Sequence, residues 1–264
     1  MLSELLPKVI QLSKTVGEFI RTEKLNFSTE KIEVKGVNDL VSYVDKTSEQ
    51  KIVDALSKLL PEAGFIVEEN TRSEKKEYNW IVDPLDGTTN FIHGIPSYAI
   101  SIALEFNGEI LLGVVYEINR NECFYAIKNG GAFLNQQAIK VSNTSLLKNS
   151  LIATGFPVYN FDRIQPFFKT LEYFLRNTHG ARRIGAAAVD LCYVACGRVD
   201  AFFEYNLSPW DLAAGALIVK EAGGKLSDFN GGNNWLFGKE IIATNASIYN
   251  TILPIITSNF STTS

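Results

Sequence analysis

Histidine and cysteine are scarce in this sequence, with two of the first and three of the second in 264 residues. His93, His179, Cys123, Cys192 and Cys196 give no CxxC pair, no HExxH helix and no Cys/His cluster, which excludes the common zinc sites. Cys192 and Cys196 stand one helical turn apart among small apolar residues, so the three cysteines read as buried free thiols. No stretch is long and uncharged enough to span a bilayer. The N-terminal segment MLSELLPKVIQLSKTVGEFI interrupts its apolar positions with Glu4, Lys8, Lys14 and Glu18 at helical spacing. That is the pattern of an amphipathic helix and not of a signal peptide, and a cytoplasmic location is expected. Basic residues are scattered through a chain of net charge −4 and form no stripe suited to nucleic acid. A GxSxG elbow is missing too, and GGNNWLFGK fails the P-loop spacing because Asn233 stands where glycine is required.

What is present is an ordinary globular balance, 46% apolar and 20% charged, in a chain long enough for a large core. Residues 32 to 44 alternate loosely around Gly36 and Asn38-Asp39, a hairpin pattern. From Asp45 the period becomes helical, with Ile52, Ala55, Leu56, Leu59 and Leu60 on one face until Pro61 and Gly64. GFIVEE reads as a strand ending in two acids, TRSEKKEYN as a loop, and WIVD as a strand ending in a third acid. Further strands are expected in YAISIALEF, ILLGVVYE, ECFYAI and the pair through GAFLNQQAIKV. The half covering residues 1–145 is thus expected to place helices on a largely antiparallel sheet. Beyond it, in residues 146–264, LIATGF and VDAFFE read as strands, and residues 162 to 177, GAAAVDLCYVACG and DLAAGALIVKEAGG as helices. Strand and helix alternate there, the mark of an α/β layer, and no linker separates the halves.

The segment Asp83-Pro84-Leu85-Asp86-Gly87-Thr88-Thr89-Asn90 carries the most chemistry. Two carboxylates flank what reads as a Pro-containing turn, close enough for their oxygens to converge on paired metal ions. Oxygen donors without His or Cys select hard cations, magnesium first and manganese as a substitute. Gly87 allows close backbone approach, and Thr88 and Thr89 are expected to open a helix whose N–H groups face an anion. For either acid alone, a turn or cap role is the simpler account. That account weakens because Glu68 and Glu69 also end a strand and Asp211 lies in the distant NLSPWDLAAG. Asp211 itself has two readings, since Ser208, Pro209 and Asp211 fit the N-cap, first and third positions of a capped helix. Asp45 likewise fits a helix cap, and Glu204 a solvated strand end.

WIVDPLDGTTNFIH and WDLAAGALIVKEAGG resemble the two signature segments of the inositol monophosphatase family. KGVNDLVSYVD, FIVEE and RRIGAAAVDLCYVACGRVDAFFE follow the same order, so the resemblance covers essentially the whole chain and is strongest to the bacterial branch. It implies a layered αβαβα sandwich of the α/β class and a magnesium-dependent, lithium-sensitive phosphomonoesterase, usually a homodimer. By motif, Glu68, Asp83 and the Leu85 carbonyl would hold one magnesium, and Asp83, Asp86 and Asp211 a second. Glu68 would also reach a third, weaker ion through water. Thr88, supported by Asp45, would orient and help deprotonate the water that attacks phosphorus in line. Gly87 and Thr88 would bind phosphate through their N–H groups. Asp86, the Ala187 backbone, Glu204 and Asp211 would contact polyol hydroxyls, beside Gly185 and Ala186.

Arg183 is a substrate contact by the bacterial pattern and a surface or dimer-interface arginine by composition. Val67 stands where the family often has glycine, and Ala186 where it often has threonine, departures that bear on substrate preference. Inositol 1-phosphate is the expected substrate. Histidinol phosphate, fructose 1,6-bisphosphate or a nucleoside 3′,5′-bisphosphate are the alternatives, and a regulatory RNA- or protein-binding module on the same fold is the alternative class.

Overall fold

The computed structural model describes residues 1–26, 32–36, 39–157 and 160–260. Helix α1 (Leu2–Leu25) buries Leu5, Val9, Val16 and Ile20 on one stripe, as its spacing requires. Strands β1 (Ile32–Gly36) and β2 (Asp39–Ser42) pair antiparallel, while the expected turn at residues 37–38 lies outside the described residues. Helix α2 (Tyr43–Leu59) begins two residues before the period change at Asp45. The reason is Ser42, whose hydroxyl accepts the Val44 N–H at 3.1 Å and so caps the helix ahead of that point.

Seven strands follow in a sheet ordered as in the chain: β3 (Gly64–Val67), β4 (Tyr78–Asp86), β5 (Ala99–Phe106), β6 (Glu109–Glu117), β7 (Glu122–Ile127), β8 (Ala132–Leu134) and β9 (Gln137–Ile139). Only β3 and β4 are parallel. Two expectations change here. Strand β4 starts at Tyr78, inside the stretch expected to be loop, and it continues through Pro84 where a tight turn is expected. Asp83 pairs with Ser101 and Asp86 with Ala99, so three steps on β4 match two on β5. This is a β-bulge, a place where a proline without an N–H is tolerated in a sheet.

The second sheet has the order β11-β10-β12-β14-β13, with β10 (Ile152–Thr154), β11 (Ala181–Arg182), β12 (Ala201–Tyr205), β13 (Lys225–Ser227) and β14 (Glu240–Thr244). It is mixed, since β10 runs parallel to β11 and β12 while β14 is antiparallel to both its neighbours. Patterning gave no element after Gly224, yet β13, β14 and helix α7 (Tyr249–Phe260) lie there. The short α3 (Thr88–His93) follows the bulge, and the remaining helices are α4 (Ile164–Asn177), α5 (Ala187–Ala195) and α6 (Pro209–Glu221). Helices α1 and α2 cover one face of the large sheet, α5 and α6 lie between the sheets, and α4 and α7 cover the far face of the small one. The result is a five-layer αβαβα sandwich. Among the described residues no helix is long and apolar enough to cross a membrane.

The central layer explains the small residues of α5 and α6, which are buried nearly all round. Where α6 crosses β6, a Cβ on Gly113 would stand 2.8 Å from the Ala214 carbonyl oxygen and 2.9 Å from its Cα. Where α5 meets α6, a Cβ on Gly215 would stand 2.7 Å from that of Leu191. Backbone, which cannot rotate aside, sets the first limit. Gly113→Val therefore tests the packing of α6, because valine itself favours a strand and any loss comes from the helix above it. Overpacking should lower stability by about 1–3 kcal/mol. In thermal unfolding that is a fall of about 2–4 °C per kcal/mol for a chain of this size. An unchanged Tm would mean that α6 does not press on β6 at this position.

Candidate functional site

The bulge in β4 turns two successive acids toward the same end of the sheet. Asp83 accepts the Leu85 N–H at 2.9 Å, and Asp86 accepts the Ala188 N–H from the start of α5 at 2.7 Å. Each has one carboxylate oxygen fixed by backbone. Both are buried, at 2% and 8% exposure.

Asp211 comes to them from α6. It is the third residue of that helix and accepts the N–H of the N-cap Ser208 at 2.7 Å, so the capping reading is correct as geometry. The same side chain also joins the cluster, since ligand oxygens of Asp83, Asp86 and Asp211 all lie within 4.8 Å of one another. A carboxylate has about four lone-pair sites, and one backbone bond leaves the rest free. Asp45 divides its oxygens in the same way. Its Oδ2 receives the Ser42 N–H at 2.9 Å and hydroxyl at 2.6 Å, while Oδ1 lies 2.9 Å from the Thr88 hydroxyl. Asp45 thus completes the cap of α2 and touches α3 at once. Thr88 Oγ1 is also 3.0 Å from the Leu85 carbonyl oxygen.

Burial without counter-charge governs the electrostatics. Desolvation, then repulsion from Glu68, Asp86 and Asp211, holds Asp83 well above the usual carboxylate range. Desolvation followed by Asp211 pushes Asp86 to about 7, against the N–H groups of Ala188 and Ala187 and the charge of Arg183. Desolvation takes Asp211 to about 6, opposed by Ser208. Asp45 is raised less, because its serine and threonine partners favour the charged form. Glu204 and Asp190 are raised by burial and neighbouring acids, with Arg183 opposing in each case. Acids packed this way, with oxygen as the only donor, suit a hard cation. The donor set fits magnesium or manganese, and among the described residues Asp83, Asp86 and Asp211 form a group that could hold one.

A cavity of about 150 Å³ opens over this cluster. Glu68, Asp86, Gly87, Thr88 and Asp211 line it together with Arg183, Gly185, Ala186, Ala187 and Glu204. Asp45, Asp83 and Leu85, fully or almost fully buried, lie behind that lining. Gly87 has a structural reason beyond ligand approach. It caps α3 at φ 92°, in the left-handed region, and a Cβ there would meet the Ser97 carbonyl at 3.0 Å. Asp190 also lines the cavity and was not among the expected residues. One further amide and one further acid do structural work. Asn90 donates to the carbonyls of Ser97 at 2.8 Å and Ile184 at 2.9 Å, tying α3 to the segment before α5. Glu49, wholly buried one turn after Asp45 on α2, accepts the N–H groups of Glu69 at 2.6 Å and Thr71 at 2.9 Å and the Thr71 hydroxyl at 2.8 Å. It fixes the segment that carries Glu68. The i, i+4 spacing of Asp45 and Glu49 is the one sequence signal that both acids face the sheet.

Comparison with known proteins accords with this arrangement. Residues 1–259 match the model of the Inositol monophosphatase family. A Neisseria meningitidis serogroup B protein named Putative Nus factor SuhB is 44% identical over 249 residues, which are 94% of this chain and 95% of that protein. The Inositol-1-monophosphatase of Mesorhizobium japonicum is 39% identical over 253 residues, 95% of each chain. Among solved structures, the Thermotoga maritima IMPase superposes with a TM-score of 0.90 at 35% identity over 98% of each chain. The extragenic suppressor protein suhB of Bartonella henselae gives 0.89 at 40% identity, over 96% of this chain and 98% of that one.

Glu49 offers a test of how the segment after β3 is held. Glu49→Gln keeps the volume but turns one acceptor oxygen into a donor that faces an N–H or hydroxyl. Leaving a buried donor unpaired costs about 1–3 kcal/mol. The variant should melt lower than the parent and, where Glu68 is a metal ligand, also bind magnesium more weakly by calorimetry. Parental magnesium binding in a folded Glu49→Gln protein would show that Glu68 needs no such support.

Proposed function

The chain belongs to the inositol monophosphatase family, and we propose that it hydrolyses a small phosphate monoester, with inositol 1-phosphate as substrate and magnesium as cofactor. The observation that carries this reading is the meeting of Asp83, Asp86 and Asp211, from two distant segments, with ligand oxygens within 4.8 Å on the floor of one cavity. Glu68, Asp83 and the Leu85 carbonyl would hold one ion, and the three aspartates the second. Magnesium bound there supplies positive charge against the phosphate oxygens and the departing alkoxide.

The chain's own groups do the rest. Thr88 donates its single proton to Asp45 Oδ1 or to the Leu85 carbonyl, which leaves its oxygen lone pairs to accept a hydrogen bond from water. Water so aligned attacks phosphorus as the ester P–O bond breaks on the opposite side, and its proton leaves toward Thr88 and Asp45. The N–H groups of Gly87 and Thr88 orient the phosphate. Asp86, Ala187, Glu204 and Asp211, with Gly185, Ala186 and Arg183 beside them, meet the alcohol. Since Asp211 comes from residues 146–264 and its partners from 1–145, the two halves act as one catalytic unit, which we take to work as a homodimer.

The name of the Neisseria relative supports a second reading, service as a Nus factor. A folded but inactive variant separates the two, because it would retain that role and lose hydrolysis.

Asp211→Asn is that variant. Asparagine keeps an oxygen for the Ser208 N–H but discards the charge. A residue that only caps α6 would lose at most a dipole contribution of about 0.3–1 kcal/mol. A metal ligand would lose several kcal/mol of transition-state stabilisation, about a thousandfold in rate. The expected outcome is a metal-free Tm at or above the parent's, because the substitution removes a charge that repels its neighbours, with phosphate release from inositol 1-phosphate reduced about a thousandfold. Near-parental turnover at ordinary magnesium would return Asp211 to a capping role, and release unaffected by chelator in the parent would remove the metal from the mechanism.

A further inference from the structure

Helix α3 is too short to hold itself, because its six residues close little more than one turn and an isolated helix needs about 12–15. Its N-cap Gly87 carries no capping side chain, so the helix depends on its neighbours. Asn90 ties one side to the carbonyls of Ser97 and Ile184. Lys24, in the last turn of α1, supplies another tie. Its ammonium donates to the Phe91 carbonyl, lies 3.5 Å from the Ile92 carbonyl oxygen and stands 4.9 Å over the ring of the fully buried Phe91. These carbonyls belong to the last turn of α3, where intrahelical donors run out and a positive charge meets the negative end of the helix. One residue earlier, Glu23 accepts the hydroxyl of Tyr43, the first residue of α2. Arg21 fixes the same turn of α1 to the large sheet, donating at 2.6 Å to the carbonyl of Ile118 just past β6. Charged residues at the end of an amphipathic helix ordinarily face water. Here Arg21, Glu23 and Lys24 reach three different parts of the fold.

The two helices held in this way carry Asp45 and Thr88 near their starts, and those side chains meet at 2.9 Å. Thr88 Oγ1 stands almost as near a second acceptor, the Leu85 carbonyl oxygen at 3.0 Å. A small tilt of α3 therefore decides which acceptor takes the hydroxyl proton and where the oxygen lone pairs point. We infer that the last turn of α1 braces α2 and α3 against each other, and that Lys24 is a positioning residue for the attack on phosphorus, acting through Thr88. The inference rests on the reading in which Thr88 and Asp45 align the attacking water, and it adds a residue that does not line the cavity. Loss of Lys24 leaves the clustered carboxylates where they are, because the N–H groups of Leu85, Ala188 and Ser208 hold them. Substrate and magnesium binding are thus not the quantities that change. Alignment is, and misplacing a reacting group by about 1 Å costs up to about a hundredfold in rate.

Lys24→Met tests the brace, because methionine keeps an unbranched apolar stem against Phe91 and removes the donor and the charge. With inositol 1-phosphate and magnesium, kcat should fall about tenfold while KM, and magnesium affinity by calorimetry, stay within about twofold of the parent. Lys24→Arg, which keeps a charge and donors, should bring kcat back to within about threefold. A cycle with Thr88→Ala separates positioning from stability. In that background Lys24→Met should lower the residual kcat by less than about twofold, because the group it positions is gone. If the Lys24→Met protein does not fold, Tyr43→Phe removes one hydroxyl from the α2 side of the brace and should show the same fall in kcat and the same dependence on Thr88. An equal fall with and without Thr88, arginine no better than methionine, or a kcat within about twofold of the parent would overturn the brace and leave the phosphatase reading intact. If Thr88→Ala alone keeps parental turnover, the alignment of water by Thr88 and the brace fall together, and if the parent releases no phosphate with magnesium present, the phosphatase reading falls with them.

Discussion

The structure depends on holding three aspartates side by side at the floor of a cavity, where burial strips much of their hydration. Asp83, Asp86 and Asp211 bring ligand oxygens within 4.8 Å of one another, a separation at which like charges in a poorly solvated site repel strongly. The fold answers mainly with backbone, aided at Asp86 by the charge of Arg183. Leu85, Ala188 and Ser208 each direct one N–H to one of these acids, and Ser42 does the same for Asp45. Such partial charges hold each side chain in place without neutralising it. The cluster is thereby suited to a cation that would arrive from solution.

Each layer of the sandwich contributes to that arrangement. The bulge at Pro84 sends Asp83 and Asp86 to one side of the sheet, and α6 brings Asp211 to them because Gly113 and Gly215 let the helix sit close to β6 and α5. Helix α2 approaches from the outer layer, with Asp45 reaching Thr88 and Glu49 holding the segment after β3. Asn90 ties α3 through one amide to the chain that enters α5. Motion of α2, α3, α5 or α6 would change the spacing of the acids or of their partners, which links the geometry of the cluster to packing away from the cavity.

The parts of the site that could be read from sequence were those crowded into one segment or set at a helix start. Asp83 through Thr88 announce themselves by density, and Asp211 by its place after Ser208 and Pro209. The capping and cluster readings competed on paper because each needs only one carboxylate oxygen, and both hold in the structure. Glu49 and Asp190 were not legible for the opposite reason. Each is a single acid inside a helix, where nothing in the local pattern distinguishes a buried carboxylate from a solvated one. In the fold, Pro84 pointed to a turn because it cannot donate to a ladder, and only the pairing with Ser101 and Ala99 reveals the bulge. The strands near the C-terminus are short apolar runs after a glycine-rich stretch, and their sheet partners lie far back in the chain.

If the crowding of these acids is the central constraint, stability must report it. Asp86 and Asp211 stand at about 7 and about 6 in the folded chain, against an ordinary value of 3.8. A carboxyl whose pKa is raised on folding stabilises the fold fully below its unfolded value, and that contribution is lost as pH rises through the folded one. Without metal, the window of loss runs from about pH 4 to about pH 7. Magnesium, which binds the ionised form, should restore the loss most where the acids are fully charged. The decisive measurement is thermal unfolding of the chelated protein and of the same protein with magnesium, at about pH 5 and about pH 8. The account predicts that the rise in Tm caused by magnesium is small at the lower pH and large at the higher. An equal rise at both, or none at either, would contradict it.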